Sequence, residues 1–277
     1  METTGMETTA GRRWAIEEIV DLDRYPIASP EPNAAQHLVQ RCRAELRAQG
    51  ACQLEGFMRP DAVQAVLADT LASERLAHRT DASHNAYFVD DDPELPADHP
   101  RRLRVRSAKR AIGWNRIGPR SPLRALYEWD GLTEFIRAAL RLPALHRDAD
   151  PVGACSVMLY DEGGELGWHF DNSEFAVTLM LQASEDGGSF EFVPRIRDAR
   201  EERYGDVGAV LAGARGGVLS MNGAAGTLAL FEGRYSIHRV TQVLGSRPRV
   251  NAVLAYAREP DHRLTELNRD LFYGRVE

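Results

Sequence analysis

The sequence has few cysteines, no excess of positive charge and no long apolar run. Its three cysteines, Cys42, Cys52 and Cys155, show no C-x-x-C spacing, which argues against a disulfide framework or a thiolate metal site. We expect three buried thiols in a reducing compartment. The formal net charge of -7 argues against nucleic acid or an anionic membrane as the main partner.

Targeting and membrane-spanning signals are also missing from the sequence. No apolar run approaches the roughly 20 residues that cross a bilayer. The first residues, METTGMETTAGRRW, lack an apolar signal core, and the near-duplication METTGMETTA is typical of a flexible leader. We therefore predict a cytoplasmic protein with no nucleic acid and no membrane among its partners.

The chain is long enough, at 277 residues, to bury a sizeable core. The pattern of apolar, polar and turn-forming residues changes along the chain and divides it into four regions that share one core. We predict a flexible N-terminal arm (1–32), a mainly helical supporting region (33–150) with a loop or lid at 81–100, a β-rich region (151–258) and a C-terminal helix (259–277).

Start and stop signals support this division. Asn33 is a candidate N-cap and Gly50 a stop signal for the first helix, and a later helical segment is broken near Gly131. After Pro151, short β-rich segments alternate with turn residues, a pattern that predicts an antiparallel sandwich or barrel. The overall expectation is an α+β protein with a helical N-terminal half packed on a β-barrel.

The stretch GWHFDNSEFAVTLMLQ places His169 and Asp171 two residues apart. In an extended chain, residues i and i+2 point to the same face, so both side chains aim at one point. His238, in EGRYSIHRVTQV, is a candidate third ligand on a returning strand. Two histidines and one carboxylate on one face are typical of non-haem Fe(II) oxygenases, whereas an isolated H-x-D triplet is more often a solvated surface pair.

Arg249 opens the apolar segment RVNAVLAYA, 11 residues after His238. By alternation it shares a face with Asn251, Val253 and Ala255, which are small enough to leave room for a ligand. A guanidinium inside a barrel is costly without an anion and pairs well with a carboxylate. A surface arginine at a strand start is the alternative, and it describes Arg247 better.

These features together resemble the Fe(II)/2-oxoglutarate-dependent dioxygenases, in which H-x-D is followed by a distal histidine and an arginine about ten residues later. The likeness is good over residues 151–277 and loose over the helical half. Four stretches resemble, more narrowly, the branch that contains radical halogenases and hydroxylases of free amino acids such as lysine: ELGWHFDNSEFAVTLMLQ, GGSFEFVP, GTLALFEGRYSIHRVTQV and LFYGRV.

The resemblance implies a double-stranded β-helix (jelly-roll) core and three cofactors: Fe(II), the co-substrate 2-oxoglutarate and O2. It implies that the H-x-D pair and the distal histidine bind the metal, and that Arg249 holds the far carboxylate of 2-oxoglutarate. Thr241, Tyr160 and Trp168 are weaker candidates for added hydrogen bonds to the co-substrate.

One residue separates the two chemistries of that branch. Halogenases have glycine in place of the carboxylate ligand, which leaves a coordination position for chloride. Because this chain has Asp171, the resemblance implies hydroxylation of an unactivated C–H bond and not halogenation. The amino-acid substrate class rests on the family resemblance alone.

The substrate residues are less defined by the sequence. In RRLRVRS, arginines alternate with apolar residues, so Arg104 or Arg106 could bind a substrate carboxylate if that face meets the barrel mouth. A solvated basic face is at least as plausible, and a nucleic-acid strip is disfavoured because the patch is isolated in an acidic protein. Asn172 and Asn251 are further candidates for substrate binding.

A basic substrate would require a buried acid. Asp161, Glu162 and Glu174 lie near enough in sequence to the metal triplet, as does Asn172, although Asp161 and Glu162 also fit a hairpin turn with exposed charge.

Three functional hypotheses remain open at this point. The first is an iron- and 2-oxoglutarate-dependent hydroxylase of a free amino acid, possibly a basic one. The second is the same chemistry on a peptide-bound residue or a natural-product intermediate. The third is a β-barrel that binds a metal or small molecule without oxygenase chemistry.

Overall fold

A computed structural model describes residues 13–28 and 32–274 of the chain. The predicted flexible leader, residues 1–12, lies outside the described residues, as do residues 29–31 and 275–277. The described residues contain the helices α1 (Ile16–Ile19), α2 (Pro32–Gln49), α3 (Pro60–Ala72), α4 (Pro122–Glu128), α5 (Asp130–Ala139), α6 (Tyr204–Leu211) and α7 (Glu266–Tyr273).

The strands begin in the N-terminal half and continue through most of the C-terminal half. They are β1 (Ala51–Leu54), β2 (His78–His84), β3 (Val105–Ile112), β4 (His146–Arg147), β5 (Cys155–Tyr160), β6 (Glu165–His169), β7 (Ala176–Gln182), β8 (Asp186–Gly187), β9 (Phe190–Val193), β10 (Leu219–Ser220), β11 (Leu228–Phe231), β12 (Ile237–Val240), β13 (Val243–Leu244), β14 (Arg249–Leu254) and β15 (Tyr256–Ala257).

Eleven of these strands form one curled antiparallel sheet with the order β1-β11-β7-β14-β5-β3-β6-β12-β9-β10, and β2 pairs with β3. Strand β3 joins the two halves of the sheet, because Arg110–Ile112 pair with β5 while Ser107 and Ala108 pair with β6. The architecture confirms the expected α+β jelly roll with helices packed on it.

The central strands are covered on both faces, which explains their nearly continuous apolar sequences. In β14, Val250, Ala252 and Leu254 are buried in the core that also contains the helices. Arg249 and Asn251 alternate with them and point to the opposite, inner face of the curled sheet. The sheet therefore separates a helix-covered core from an internal cavity.

Local signals set several element ends. Helix α2 ends before Gly50, whose φ of +70° is accessible to glycine at low cost, as expected. Asn33 is not the N-cap of this helix, because the helix already begins at Pro32. The break between α4 and α5 falls at Trp129, and Gly131 lies inside α5.

Three predictions about the regions of the chain are corrected by the structure. The predicted arm is packed where the structure describes it: Ile19 and Val20 are fully buried, and the Tyr25 hydroxyl donates to the Glu55 carbonyl at 2.6 Å. The mainly helical supporting region contributes β1, β2 and β3 to the main sheet. The predicted lid at 81–100 begins too early, since residues 81–84 belong to β2.

No helix in residues 13–28 or 32–274 has both the length and the apolar character that a membrane-spanning segment requires.

Candidate metal centre and co-substrate cavity

His169 and His238 are brought together by strand pairing. His169 is the last residue of β6 and lies directly opposite His238 of β12 in the antiparallel register. Leu166 of β6 is paired with Val240, so three residue steps in β6 oppose two in β12. Such a bulge re-aims a side chain, and here it lets both Leu166 and His169 face the cavity.

Asp171 follows β6 by two residues and completes the cluster. Its Oδ1 lies 3.4 Å from His238 Nε2 and 3.7 Å from His169 Nε2. The three ligand atoms lie within 4.8 Å of one another. Ligand atoms that each lie about 2.1 Å from one cation are roughly 3 to 4 Å apart, so the cluster fits a single metal ion.

Both imidazoles are oriented by the backbone. His169 Nδ1 lies 2.8 Å from the Gly167 carbonyl oxygen, and His238 Nδ1 lies 2.9 Å from that of Ser236. Because a carbonyl only accepts, each Nδ1 carries the proton and each Nε2 presents its lone pair to the metal position. Burial also holds the pKa of His169 well below its usual value, which favours the neutral, ligating form.

The Asp171 carboxylate is charged despite its environment. Burial would raise its pKa, but the adjacent His238 and His169 outweigh burial and lower it. Its backbone N–H donates to the Gly233 carbonyl at 3.2 Å. A Cβ added at Gly233 would lie 1.8 Å from Asp171 Oδ2, so the carboxylate occupies space that only glycine leaves free.

The triad forms part of the wall of an internal cavity of about 260 Å³. Apolar side chains make up most of the remaining wall, and they include Met158, Leu166, Phe190, Val240 and Val253. A mostly apolar cavity next to a metal position suits the binding of a small molecule.

Arg249 lies in the same cavity wall, at the start of β14. It is 7% exposed, and its Nε is buried without a hydrogen-bond partner among the described residues. Burial lowers its pKa, while the facing Tyr160, its register partner in β5, acts in the opposite direction. A buried guanidinium without a partner is costly unless an anion binds to it, and a carboxylate matches its geometry.

Tyr160 and Asn251 also line the cavity. Burial raises the pKa of Tyr160 to about 12, so its hydroxyl is a neutral donor. The Oδ1 of Asn251 is buried without a partner among the described residues. Two of the predicted ligand-binding side chains thus lie beside Arg249, and each has a polar group available.

The other two candidates for co-substrate binding lie elsewhere, which corrects those predictions. Trp168 points to the far side of β6, where it packs with Phe170 and lies 4.8 Å from the Arg239 guanidinium. Thr241 does not line the cavity. Its hydroxyl accepts from the Ser189 N–H at 2.9 Å, which fixes the turn after β12.

Arg104 and Arg106 are also outside the cavity, contrary to the predicted role in substrate binding. Arg106 is half exposed and forms ion pairs with Asp81 at 3.0 Å and Glu165 at 3.1 Å. Arg104 is exposed and donates to the Ser83 carbonyl. Both belong to the outer face of the chain at β3, so the solvated basic face is the correct alternative.

The predicted acidic partners of a basic substrate are not in the cavity either. Asp161 pairs with Arg110 on the outer surface at 2.6 Å, Glu162 is exposed, and Glu174 pairs with Arg258. Asn172 does line the cavity at its exposed rim.

Lys109 is the residue that the sequence analysis missed. It lies on β3, three positions after Arg106, and therefore on the opposite, inner face. The side chain is 7% exposed and lines the cavity. Burial lowers its pKa to about 8, against the influence of Asp171. The sequence contained a signal for this position: Lys109 lies two residues from both Ser107 and Ala111, and in a strand these three side chains share one face.

Two segments close the cavity from outside the sheet. Phe88, from the loop after β2, lies 5.4 Å from the His169 ring between centroids and has a φ of +51°. Leu264, Phe272 and Tyr273 come from the C-terminal segment. The Tyr273 hydroxyl donates to Ser156 at 3.0 Å, which anchors α7 on the sheet.

Comparison with known proteins agrees with this architecture. A family model described as HalD, Halogenase D, matches residues 34–271. The chain belongs to the Halogenase D family. No curated protein matches the chain.

Solved structures share the fold at low sequence identity. SnoN, an α-ketoglutarate-dependent non-haem epimerase from nogalamycin biosynthesis, aligns with a TM-score of 0.56 and 14% identity over 80% of this chain and 83% of that one. AviO1 from Streptomyces viridochromogenes aligns with a TM-score of 0.53 and 17% identity, over 80% of this chain and 96% of that one. HygX from Streptomyces hygroscopicus was solved with nickel and 2-oxoglutarate bound. It aligns with a TM-score of 0.52 and 14% identity, over 78% of this chain and 86% of that one.

Proposed function

We propose that the protein is an Fe(II)- and 2-oxoglutarate-dependent oxygenase that hydroxylates an unactivated C–H bond of a small molecule. The observation that carries the proposal is the convergence of His169, Asp171 and His238 beside a buried, unpaired Arg249 in one cavity. When bound, iron and 2-oxoglutarate supply oxidation by O2 coupled to release of succinate and CO2.

The residues of the chain have separate tasks in this proposal. His169, Asp171 and His238 would hold the iron on one face and leave the opposite positions for ligands. Arg249 would bind the far carboxylate of 2-oxoglutarate, with a hydrogen bond from the neutral Tyr160 hydroxyl. The apolar wall and Phe88 would exclude water from the reacting centre.

The carboxylate of Asp171 supports hydroxylation and not halogenation. In the halogenases that the sequence resembles, glycine stands at this position and chloride takes the free coordination site. Here the Asp171 carboxylate would fill that space, and its Oδ2 lies in the gap that Gly233 leaves. Membership of a family described as Halogenase D does not change this local chemistry.

A free amino acid is the substrate class that we propose, in a cytoplasmic enzyme. A cavity of about 260 Å³ suits a small molecule. The described residues that line it offer no carboxylate besides the metal ligand Asp171, so the cavity supports an amino acid with an uncharged side chain better than a basic one. A natural-product intermediate is the second candidate, since a HygX structure contains hygromycin B.

Succinate release tests the proposal. The purified protein is incubated with Fe(II), 2-oxoglutarate and a panel of free L-amino acids, and products are examined by mass spectrometry for one added oxygen atom. We expect succinate that depends on both Fe(II) and 2-oxoglutarate, and a hydroxylated amino acid. No succinate under any condition would support the non-catalytic binding protein instead. Succinate without a hydroxylated amino acid would favour the natural-product substrate.

A further inference from the structure

The cavity has an unequal charge balance. Among the described residues that line it, Lys109 and Arg249 are cationic and Asp171 is anionic, while histidines that bind a metal are neutral. Fe(II) and the 2-oxoglutarate dianion cancel each other. One positive charge therefore remains when the cofactors of the proposed function are bound.

That remaining charge belongs to Lys109. The structure gives its ammonium one close contact among the described side chains, the ring of Phe272, whose centroid lies 4.4 Å from Nζ. Asp171 is the nearest opposite charge that influences it, but the carboxylate of Asp171 is committed to the metal. A buried ammonium without a hydrogen-bonded anion is costly, so the site is complete only with a ligand that supplies one.

In the proposed function both carboxylates of 2-oxoglutarate are already engaged, one at the metal and the other at Arg249, so neither is left for Lys109. Arg249 opens β14 and is paired with Tyr160 of β5, whereas Lys109 lies on β3, and β5 stands between these two strands in the sheet. The Phe272 ring beside Lys109 comes from α7, which packs on β2 and β3. The Lys109 ammonium therefore lies in the part of the cavity that Phe272 closes.

The geometry points to Lys109 as the binding residue for a carboxylate of the substrate, so that the substrate is a small organic acid with an apolar body. This inference rests on the proposed function and makes its substrate class more specific. The apolar wall from Val253, Leu264 and Phe272 would pack against the body of the substrate. A peptide-bound residue has no free α-carboxylate and would not satisfy Lys109.

The test compares carboxylates with their amides. Nickel-loaded protein saturated with 2-oxoglutarate is titrated calorimetrically with the proteinogenic L-amino acids and with the corresponding carboxamides, and the same compounds are tested for stimulation of succinate release by the iron-loaded enzyme. We expect at least one amino acid to bind and to stimulate, and its carboxamide to bind about 30-fold more weakly, as for loss of one buried charge pair. Equal binding of acid and amide, or no response to any carboxylate, would overturn the inference.

Variants of Lys109 test the inference independently. In Lys109→Met the KM for the amino acid should rise about 30-fold. Lys109→Arg should retain most of the affinity. Arg106→Met is the matched control on the outer face of the same strand and should leave the KM unchanged. An unchanged KM in Lys109→Met would contradict the role of this side chain.

The two proposals fail in different ways. Absence of any succinate dependent on Fe(II) and 2-oxoglutarate removes the oxygenase proposal. Succinate release by the wild type, combined with indifference to the substrate carboxylate, removes only the assignment to Lys109.

Discussion

His238 lies directly opposite His169 across the antiparallel pair β12–β6, with ring centroids 4.0 Å apart and both Nδ1 atoms bound to backbone carbonyls. The relationship joins residues 69 positions apart in the sequence. It fixes the direction of both Nε2 atoms before any metal binds. Such preorganisation is what a metal site with only three protein ligands requires.

Loss of a ligand should abolish iron binding. We expect His238→Ala and Asp171→Ala to contain little iron after reconstitution, because two remaining ligands hold Fe(II) poorly. Metal content per chain is measured by elemental analysis. His37→Ala, a change at an exposed histidine of α2, is the control and should bind iron normally. Normal iron content in both ligand variants would remove the proposed metal site.

Gly233→Ala tests the fit of the carboxylate. The new methyl group would overlap Asp171 Oδ2 and displace the carboxylate, so metal affinity should fall about 10-fold or more, as for changes to groups that support metal ligands. Nickel affinity is measured by calorimetry. Gly205→Ala is the matched control, because a Cβ there meets open space. Equal nickel affinity in the two variants would show that the carboxylate does not need this gap.

Arg249→Met should weaken the binding of 2-oxoglutarate. The variant removes a buried guanidinium whose pairing with a carboxylate contributes about 2 to 5 kcal/mol, so the KM for 2-oxoglutarate should rise at least 30-fold. Arg247→Met removes an exposed arginine that donates to the Ser184 carbonyl and serves as the control. A KM that changes equally in both variants would argue against co-substrate binding by Arg249.

Halide ions should have no effect on the product. Because Asp171 would occupy the coordination position that chloride takes in halogenases, turnover in chloride or bromide should yield a hydroxylated product without halogen. Mass spectrometry distinguishes the two products by isotope pattern. A halogenated product from the wild-type enzyme would show that Asp171 is not a metal ligand during turnover.

Residue type and spacing were sufficient to predict that His169, Asp171 and His238 converge and that Arg249 points into the barrel. Polar groups that are costly to bury stand in or beside apolar strands at three places: the H-x-D pair, His238 and Arg249. Such a placement is a strong signal in the local sequence. The fold class followed from the evenly spaced β-rich segments.

The errors at Arg104, Arg106 and Trp168 have a common physical cause, which is strand parity. An alternating pattern gives two faces but does not say which face is inside. The sequence analysis assigned substrate binding to the arginines of RRLRVRS. In the structure β3 begins at Val105, and Lys109, not these arginines, faces the cavity. The bulge in β6 likewise turns Trp168 out while Leu166 and His169 face in. Bulges and strand ends depend on long-range pairing, which the local sequence does not encode.

In the proposed function, one metal and one carboxylic co-substrate bind together between the triad and Arg249. Calorimetric titration of 2-oxoglutarate into nickel-loaded and metal-free protein tests it most directly. We predict tight binding, with one equivalent per chain, to the nickel-loaded protein and little binding to the metal-free protein or to His238→Ala with nickel present. Binding of 2-oxoglutarate with the same affinity in the presence and absence of nickel would contradict the account.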